Sequence, residues 1–449
     1  MALIETSNNL FKNLLSNVSF LFLSGGVSAL SIFFTQILLA RNLAPSGYGL
    51  FSAAFATITL IAPLTVFGIQ HAWLKLSGSE GLSVIRWIPI SFKLVYICLT
   101  ITLISITAWS FLGPHSSSFR NMLLGLSPII ISHIFMELVN SRFQIEQKFK
   151  SLAIWQTIPH IMRLSFVILL FIVFGLYQVN YLLLGYSFIA LFISIVGYIF
   201  LYKMMKAKRD NLFKEDISSK NKNVSLKKMM GHSWPYGTAA FFYLIYLQSD
   251  LIILKYLVND TAVGLYSAAF AVLLSAYLIP GIIYQKFLLP KFHRWANSNQ
   301  KKLLTTYQAG NGLMLILGII VFALLFYLNP IIIPKIFGNE YLQTSEILNV
   351  LLFCIPIRFL ATSIESPLFT KNLMVTKTSI MGGAALLNLI LNFVLIPKYS
   401  FLGAAIATVI SEIFLLSFYL LAVDKYLFGS EAYSGWGKGL TYSFWNTSN

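Results

Sequence analysis

Charge is scarce in this chain. Only 10% of its 449 residues are Asp, Glu, Lys or Arg, against about 25% in an ordinary soluble domain, while 57% are hydrophobic. That balance excludes a typical soluble globular protein. Acid is the scarcer sign: 15 Asp and Glu stand against 32 Lys and Arg, a net charge of +17. In a soluble chain such an excess would point to nucleic acid; here the location of the cations has to decide. Cysteine is nearly absent too. Cys98 and Cys354 sit inside the apolar runs VYICLT and LLFCIP, where a thiol behaves as a small hydrophobe rather than a metal ligand or half of a disulfide. A phosphate loop of the GxxxxGK[ST] type is missing, so direct ATP hydrolysis is not expected. No metal-ligand cluster and no catalytic constellation stand out, and an enzyme is not expected.

What the chain has is long apolar runs. A window of about 20 residues, the length of a membrane-crossing helix, finds them near 17–40, 47–70, 89–112, 121–141, 152–175, 181–202, 234–257, 263–289, 307–329, 345–367, 374–397 and 402–423. The fold class expected is therefore an all-α membrane protein of twelve transmembrane helices. The first run is too long for a signal-peptide core and no small-residue cleavage site follows it, so 1–16 reads as a retained tail. The link NPIIIPKIFGNE, within Asn329–Ser345, is the longest expected outer loop and apolar enough to dip into the bilayer. Basic loops resist translocation and stay cytoplasmic. One alternating set of connections carries 23 cations, nine of them between Lys203 and Lys228; the other carries five, Arg41, Arg120, Lys255, Lys335 and Lys398. Both termini are expected in the cytoplasm. The basic character is topological, and no nucleic-acid partner is expected.

The chain is also duplicated. GLFSAAFA at Gly49–Ala56 returns as GLYSAAFA at Gly264–Ala271, an offset of 215 with seven of eight residues identical, and each copy opens the second span of its half. Pro63 and Pro280 interrupt those same spans, and Pro128 and Pro356 the fourth of each half. The polar stretch KMMKAKRDNLFKEDISSKNKNVSLKKMM separates six spans from six. The expected organisation is an N-terminal lobe over 1–202, a basic cytoplasmic linker over 203–230, and a C-terminal lobe with a cytoplasmic tail over 231–449. Six is even, so the two pseudo-symmetric six-helix lobes should be related by an axis along the membrane normal.

NLILNFVLIPKYSFLGAAIATVISE, spanning Asn388–Glu412, resembles the signature of the polysaccharide-transport or O-antigen flippases. These form a branch of the multidrug, oligosaccharidyl-lipid and polysaccharide exporter superfamily. ARNLAPSGYGLFSAAFA (Ala40–Ala56), FGIQHA (Phe67–Ala72), QSDLIILKYLVNDTAVGLYSAA (Gln248–Ala269) and FGNEYLQTSEIL (Phe337–Leu348) resemble it as well. Ser400 departs from the pattern, since the family more usually carries glycine after the tyrosine. The resemblance implies two lobes around a central cavity lined by the first two helices of each, which makes Gln36 and Gln248 candidate cavity-lining residues. It implies a flippase that moves undecaprenyl-pyrophosphate-linked O-antigen or capsule repeat units from the cytoplasmic to the outer leaflet of a bacterial inner membrane by alternating access. The implied partners are the lipid-linked oligosaccharide, membrane lipids and a polymerase of the same pathway. A multidrug exporter of the same superfamily is the first alternative. A membrane glycan polymerase or ligase is a second, disfavoured by short outer loops and by the repeat.

Four ionisable side chains lie near mid-span: Arg163, Asp250, Arg358 and Glu412. A charge there costs at least about 2.5–3.5 kcal/mol on insertion scales, so it faces a partner or an aqueous cavity. The planar fork of arginine suits pyrophosphate. Arg163 and Arg358 are accordingly candidate substrate-binding residues, with an ion pair to a carboxylate such as Glu412 as the competing reading. Asp250 and Glu412 are candidate coupling residues. A buried carboxylate can take up a proton or a monovalent cation as its exposure changes; Asp250 could equally cap a broken helix or pair with a cation. No cofactor is expected beyond a proton or sodium gradient. Lys93, Glu137, Lys286 and Glu365 fall near expected cytoplasmic ends and read as interfacial. His133 and His160 are within spans and read as packing residues.

Overall fold

The computed structural model describes residues 2–212, 224–370 and 373–437. Part of the linker over 203–230, namely 213–223, and the last part of the C-terminal tail, 438–449, lie outside the described residues. All regular structure among the described residues is helical. In chain order the helices are α1 (Ala2–Ile61), α2 (Ile69–Glu80), α3 (Ile88–Leu112), α4 (Ser117–Leu126), α5 (Pro128–Ile145), α6 (Phe149–Ile168) and α7 (Val179–Leu212), then α8 (Leu226–Leu257), α9 (Asp260–Gly281), α10 (Leu289–Ser298), α11 (Gln300–Phe337), α12 (Thr344–Leu351), α13 (Cys354–Glu365) and α14 (Met374–Val423).

Among the described residues ten helical stretches are long and apolar enough to cross a membrane. Two of them are far longer than one crossing requires. The 60 residues of α1 would extend about 90 Å as a straight helix, about three times a hydrocarbon core. Both α1 and α14 are broken inside. Ala44 (φ 55, ψ 167), just before Pro45, interrupts α1, and Ser400 (φ 54, ψ −134) interrupts α14. Each break falls between two apolar runs of the sequence, where the chain must turn. The link after Asn329 is not an open loop: α11 runs on through Pro330 and Pro334 to Phe337, and only a short turn separates it from α12. The paired prolines mark changes of helix type. Pro63 sits in a 3-10 turn, Ala62–Thr65, and Pro280 lies two residues before a π-helical segment, Ile282–Leu288.

Local chemistry sets several helix starts. Ser116, Asn259 and Asn299 each accept a hydrogen bond from the backbone N–H three residues on, at 3.2, 2.8 and 2.9 Å, satisfying a donor that the first helical turn leaves free.

The chain divides by internal packing into two units. The first comprises 1–35 and 54–244, the second 36–53 and 245–449. The first unit has a core built on Val66, Ile69, Trp73, Leu138 and Trp155. The Trp73 indole donates to Ser91 Oγ at 2.9 Å, and Ser91 donates to the Trp87 carbonyl at 2.7 Å, so these two buried donors are satisfied within it. In the second unit α9 is buried from Ala262 to Phe270, which takes in all of the GLYSAAFA segment but its last residue. Large apolar side chains elsewhere are turned outward, among them Tyr96, Leu112, Tyr327 and Val375. Such exposure is a liability in water and is the expected surface for a chain dissolved in lipid.

Candidate functional site

The second unit gathers its polar residues from four helices. Helix α8 supplies Tyr246, Ser249 and Asp250; α9 supplies Tyr266 and Tyr277; α13 supplies Arg358. The two arms of α14, folded at Ser400, supply Asn388 and Asn392 from one side and Thr408 and Glu412 from the other. Each pair has i,i+4 spacing, which places both members on one helix face.

Asp250 is 2% exposed and is held by neutral donors only. Tyr266 donates to its Oδ2 at 2.6 Å, Thr408 to the same oxygen at 2.8 Å, and Asn392 Nδ2 to Oδ1 at 2.5 Å. Around this, Asn388 Oδ1 accepts from Ser249 at 2.9 Å and from Asn392 at 3.0 Å. Among the described residues no cation pairs with Asp250. It therefore answers no basic side chain there. A carboxylate surrounded by amide and hydroxyl oxygens is chemically suited to a proton or a small monovalent cation.

Arg358 and Glu412 meet directly. The guanidinium donates to Glu412 Oε1 through Nη2 at 2.6 Å and through Nε at 3.0 Å. Tyr246 donates to the same oxygen at 2.7 Å and Tyr277 at 3.3 Å, and their rings flank the guanidinium at 5.6 and 5.4 Å. Glu412 is 1% exposed and the Arg358 side chain 13%. Oε2 of Glu412 has no hydrogen-bond partner among the described residues. The ion-pair reading of Arg358 is thus the geometry found.

Arg163, in the first unit, is arranged otherwise. On α6 it is half-buried between the rings of Phe55 and Tyr186, at 5.5 and 5.4 Å. No carboxylate pairs with it among the described residues, and its Nε lacks a hydrogen-bond partner. A guanidinium held by ring quadrupoles keeps its positive charge available to an anion.

The other expected residues are less engaged. Gln36 is half-buried and its Oε1 accepts from Tyr48 at 2.8 Å; Gln248 is half-buried beside Ser249. Glu365 does not snorkel to an interface. It is 5% exposed and paired with Lys377 at 3.3 Å, with the Lys377 ammonium 3.5 Å from the centre of the Phe369 ring. Sequence reasoning missed Tyr246, Tyr266, Tyr277, Asn388, Asn392 and Thr408. The i,i+4 recurrence of polar residues at 388/392 and 408/412, in otherwise apolar runs, was the available signal.

No curated protein sequence matches the chain. Solved structures do. "Lipid II flippase MurJ, inward closed conformation" superposes with a TM-score of 0.67 at 16% identity, over 96% of this chain and 93% of that one. An inward-facing multidrug resistance MATE family transporter of the MOP superfamily gives 0.60 at 13%, over 94% and 96%. The eukaryotic MATE transporter AtDTX14 gives 0.57 at 12%, over 95% and 99%. Identities this low establish a shared fold, that of multi-pass membrane transporters. The sequence itself is more specific: residues 14–296 match the family described as polysaccharide biosynthesis protein, and the chain belongs to that family.

Proposed function

We propose that the protein is a flippase that moves undecaprenyl-pyrophosphate-linked oligosaccharide repeat units, of O-antigen or capsule type, from the cytoplasmic to the outer leaflet of a bacterial inner membrane. Arg163 is the observation that carries this reading. A membrane protein keeps a cation in its interior only where something offsets the cost. With no carboxylate among the described residues to answer it, a pyrophosphate or an acidic sugar is the partner whose charge and geometry fit a guanidinium. Membership in a polysaccharide biosynthesis family supports the glycan part, and the fold shared with a lipid II flippase supports the lipid-linked part.

The cycle we propose is alternating access across twelve spans, with α1 and α14 each crossing twice at their breaks. The lobes of the sequence repeat exchange access between the two sides, and both termini are cytoplasmic. Asp250 serves as the coupling carboxylate for a proton or sodium gradient, and Glu412, through its free oxygen, as a second acceptor. Arg358, already neutralised by Glu412, contributes to substrate contact only when that pair opens. A multidrug exporter for cationic drugs would call for accessible carboxylates, whereas Asp250 and Glu412 are both buried and engaged.

Deletion of the gene, followed by analysis of undecaprenyl-linked intermediates, tests the reading. Complete repeat units trapped on the cytoplasmic face are the expected result. Unpolymerised units outside would point to a polymerase instead, and unchanged intermediates to an exporter of something else.

A further inference from the structure

The repeated octapeptide begins with glycine in both copies, and the structure shows what those glycines do. Within the second unit Gly49 and Gly264 lie against each other backbone to backbone. A Cβ at Gly49 would overlap the carbonyl oxygen of Asp260 and crowd the amide of Gly264; a Cβ at Gly264 would overlap the carbonyl of Pro45. The contact is reciprocal. Asp260 stands four residues before Gly264, as Pro45 stands four before Gly49, and the offset of 215 relates both members. Equivalent positions of the two halves therefore meet each other through a pseudo-two-fold contact, which only residues without a side chain permit.

A second contact of the same kind occurs within the first unit. Gly68, at φ 79, directly follows Phe67 at φ 43. A Cβ at Gly68 would overlap the carbonyl of Ser233, and one at Gly237 would come within 2.8 Å of the Phe67 carbonyl carbon. By the topology read from the sequence, positions 49 and 264 are at the outer ends of their spans, and positions 68 and 237 at the inner ends. That topology would put one contact on each side of the membrane.

We infer that these two glycine contacts are the closure surfaces of the outer and inner gates. The inference rests on the alternating-access reading and adds to it the residues at which each side shuts. Near the outer contact, the phenol of Tyr341, 1% exposed, donates to the Ala40 carbonyl at 2.8 Å and its ring stands edge-on to Tyr48, which bolts the closed arrangement. Packed backbones close all at once rather than by degrees, because an added methyl group in a filled contact forces the surfaces apart. A side chain at either outer glycine should hold the outer gate open, and one at Gly237 should hold the inner gate open.

The test uses the full-length protein with Cys98→Ala and Cys354→Ala, carrying Gln36→Cys as a reporter and exposed from outside to a membrane-impermeant maleimide. Gly49→Ala and Gly264→Ala should each raise labelling by about fivefold or more, the population shift that ordinary overpacking produces. The double variant should label no more than either single one, since one methyl already prevents closure. Gly237→Ala should lower labelling. Gly26→Ala and Gly281→Ala, where a Cβ meets open space, should leave it unchanged. Labelling unmoved by both outer variants at wild-type abundance overturns the inference, as does an additive double variant. If the alanine variants are poorly produced, Tyr341→Phe, which removes one hydroxyl, must raise labelling; no rise overturns the inference. A reporter that reacts from neither side in the unsubstituted protein would instead defeat alternating access, and the gates with it.

Discussion

Removing the guanidinium of Arg358 should cost the protein its stability, whereas removing that of Arg163 should cost it its function. Glu412 is 1% exposed, and Oε1 takes two arginine hydrogen bonds and two from tyrosines. Arg358→Ala leaves that carboxylate in the interior with only the tyrosine hydroxyls. Orphaning one member of a buried ion pair costs about 3–5 kcal/mol, a large part of the 5–15 kcal/mol or so that holds a typical domain together, so abundance should fall severalfold. Glu412→Gln in the same chain removes the orphaned charge and should restore most of the loss. At Arg163 no carboxylate is left behind. The loss is the contact with Phe55 and Tyr186, about 0.5–2 kcal/mol, and abundance should stay near normal while surface-glycan output falls in the order Arg, Lys, Gln, Ala, since Lys keeps the charge but not the fork. The assay is immunoblotting of membranes beside quantification of O-antigen or capsule for both series. Arg358→Ala at full abundance would refute the structural role of the pair. Arg163→Ala with normal output would refute the anion-binding role of Arg163.

Ser400 occupies a backbone conformation, φ 54 and ψ −134, that glycine tolerates and serine does not; Ser400→Gly should stabilise the protein by roughly 0.5–2 kcal/mol after allowing for the entropy of glycine in the unfolded chain, read as a rise in thermal midpoint in detergent, and an unchanged or lower midpoint would contradict this. Asp250→Asn should insert normally but transport more slowly or lose its dependence on the ion gradient, because an amide can neither release a proton nor balance a cation; unchanged flux with unchanged gradient dependence would remove Asp250 from coupling. Reporter fusions at Ala207, Ser298 and the C-terminus should read cytoplasmic and one at Ser117 external, and an external signal at Ser298 would break the topology.

The helices were legible because the apolar runs are long and nearly free of charge. The turns inside α1 and α14 were legible as gaps between runs, and Ser400 as a departure from the pattern that the sequence resembles; the positive φ found there is one that glycine adopts more readily than serine. The repeat was legible as a pattern, but not as a contact. Nothing in GLFSAAFA and GLYSAAFA states that their glycines touch, since the reciprocity exists only once the two copies are side by side. Depth along a span was a fair guide for Asp250 and a poor one for Glu365. Position along a helix says how far a side chain lies from the water, but not whether its face is turned toward another helix, and Glu365 is buried by α14 through Lys377.

The same limit explains why the two arginines looked alike in the sequence and differ in the structure. Arg358 lies 54 residues from Glu412 along the chain, a separation bridged only by packing α13 against α14, so its charge is spent within the second unit. Arg163 has aromatic neighbours and, among the described residues, no carboxylate partner. Because an unanswered charge in a membrane interior is costly, a protein tolerates one only where a ligand or water answers it for part of its cycle. By that argument Arg163 and Asp250, which no opposite charge answers among the described residues, are where substrate anion and coupling cation would act, and the Arg358–Glu412 pair, whose charges answer each other, is where the second unit holds its shape.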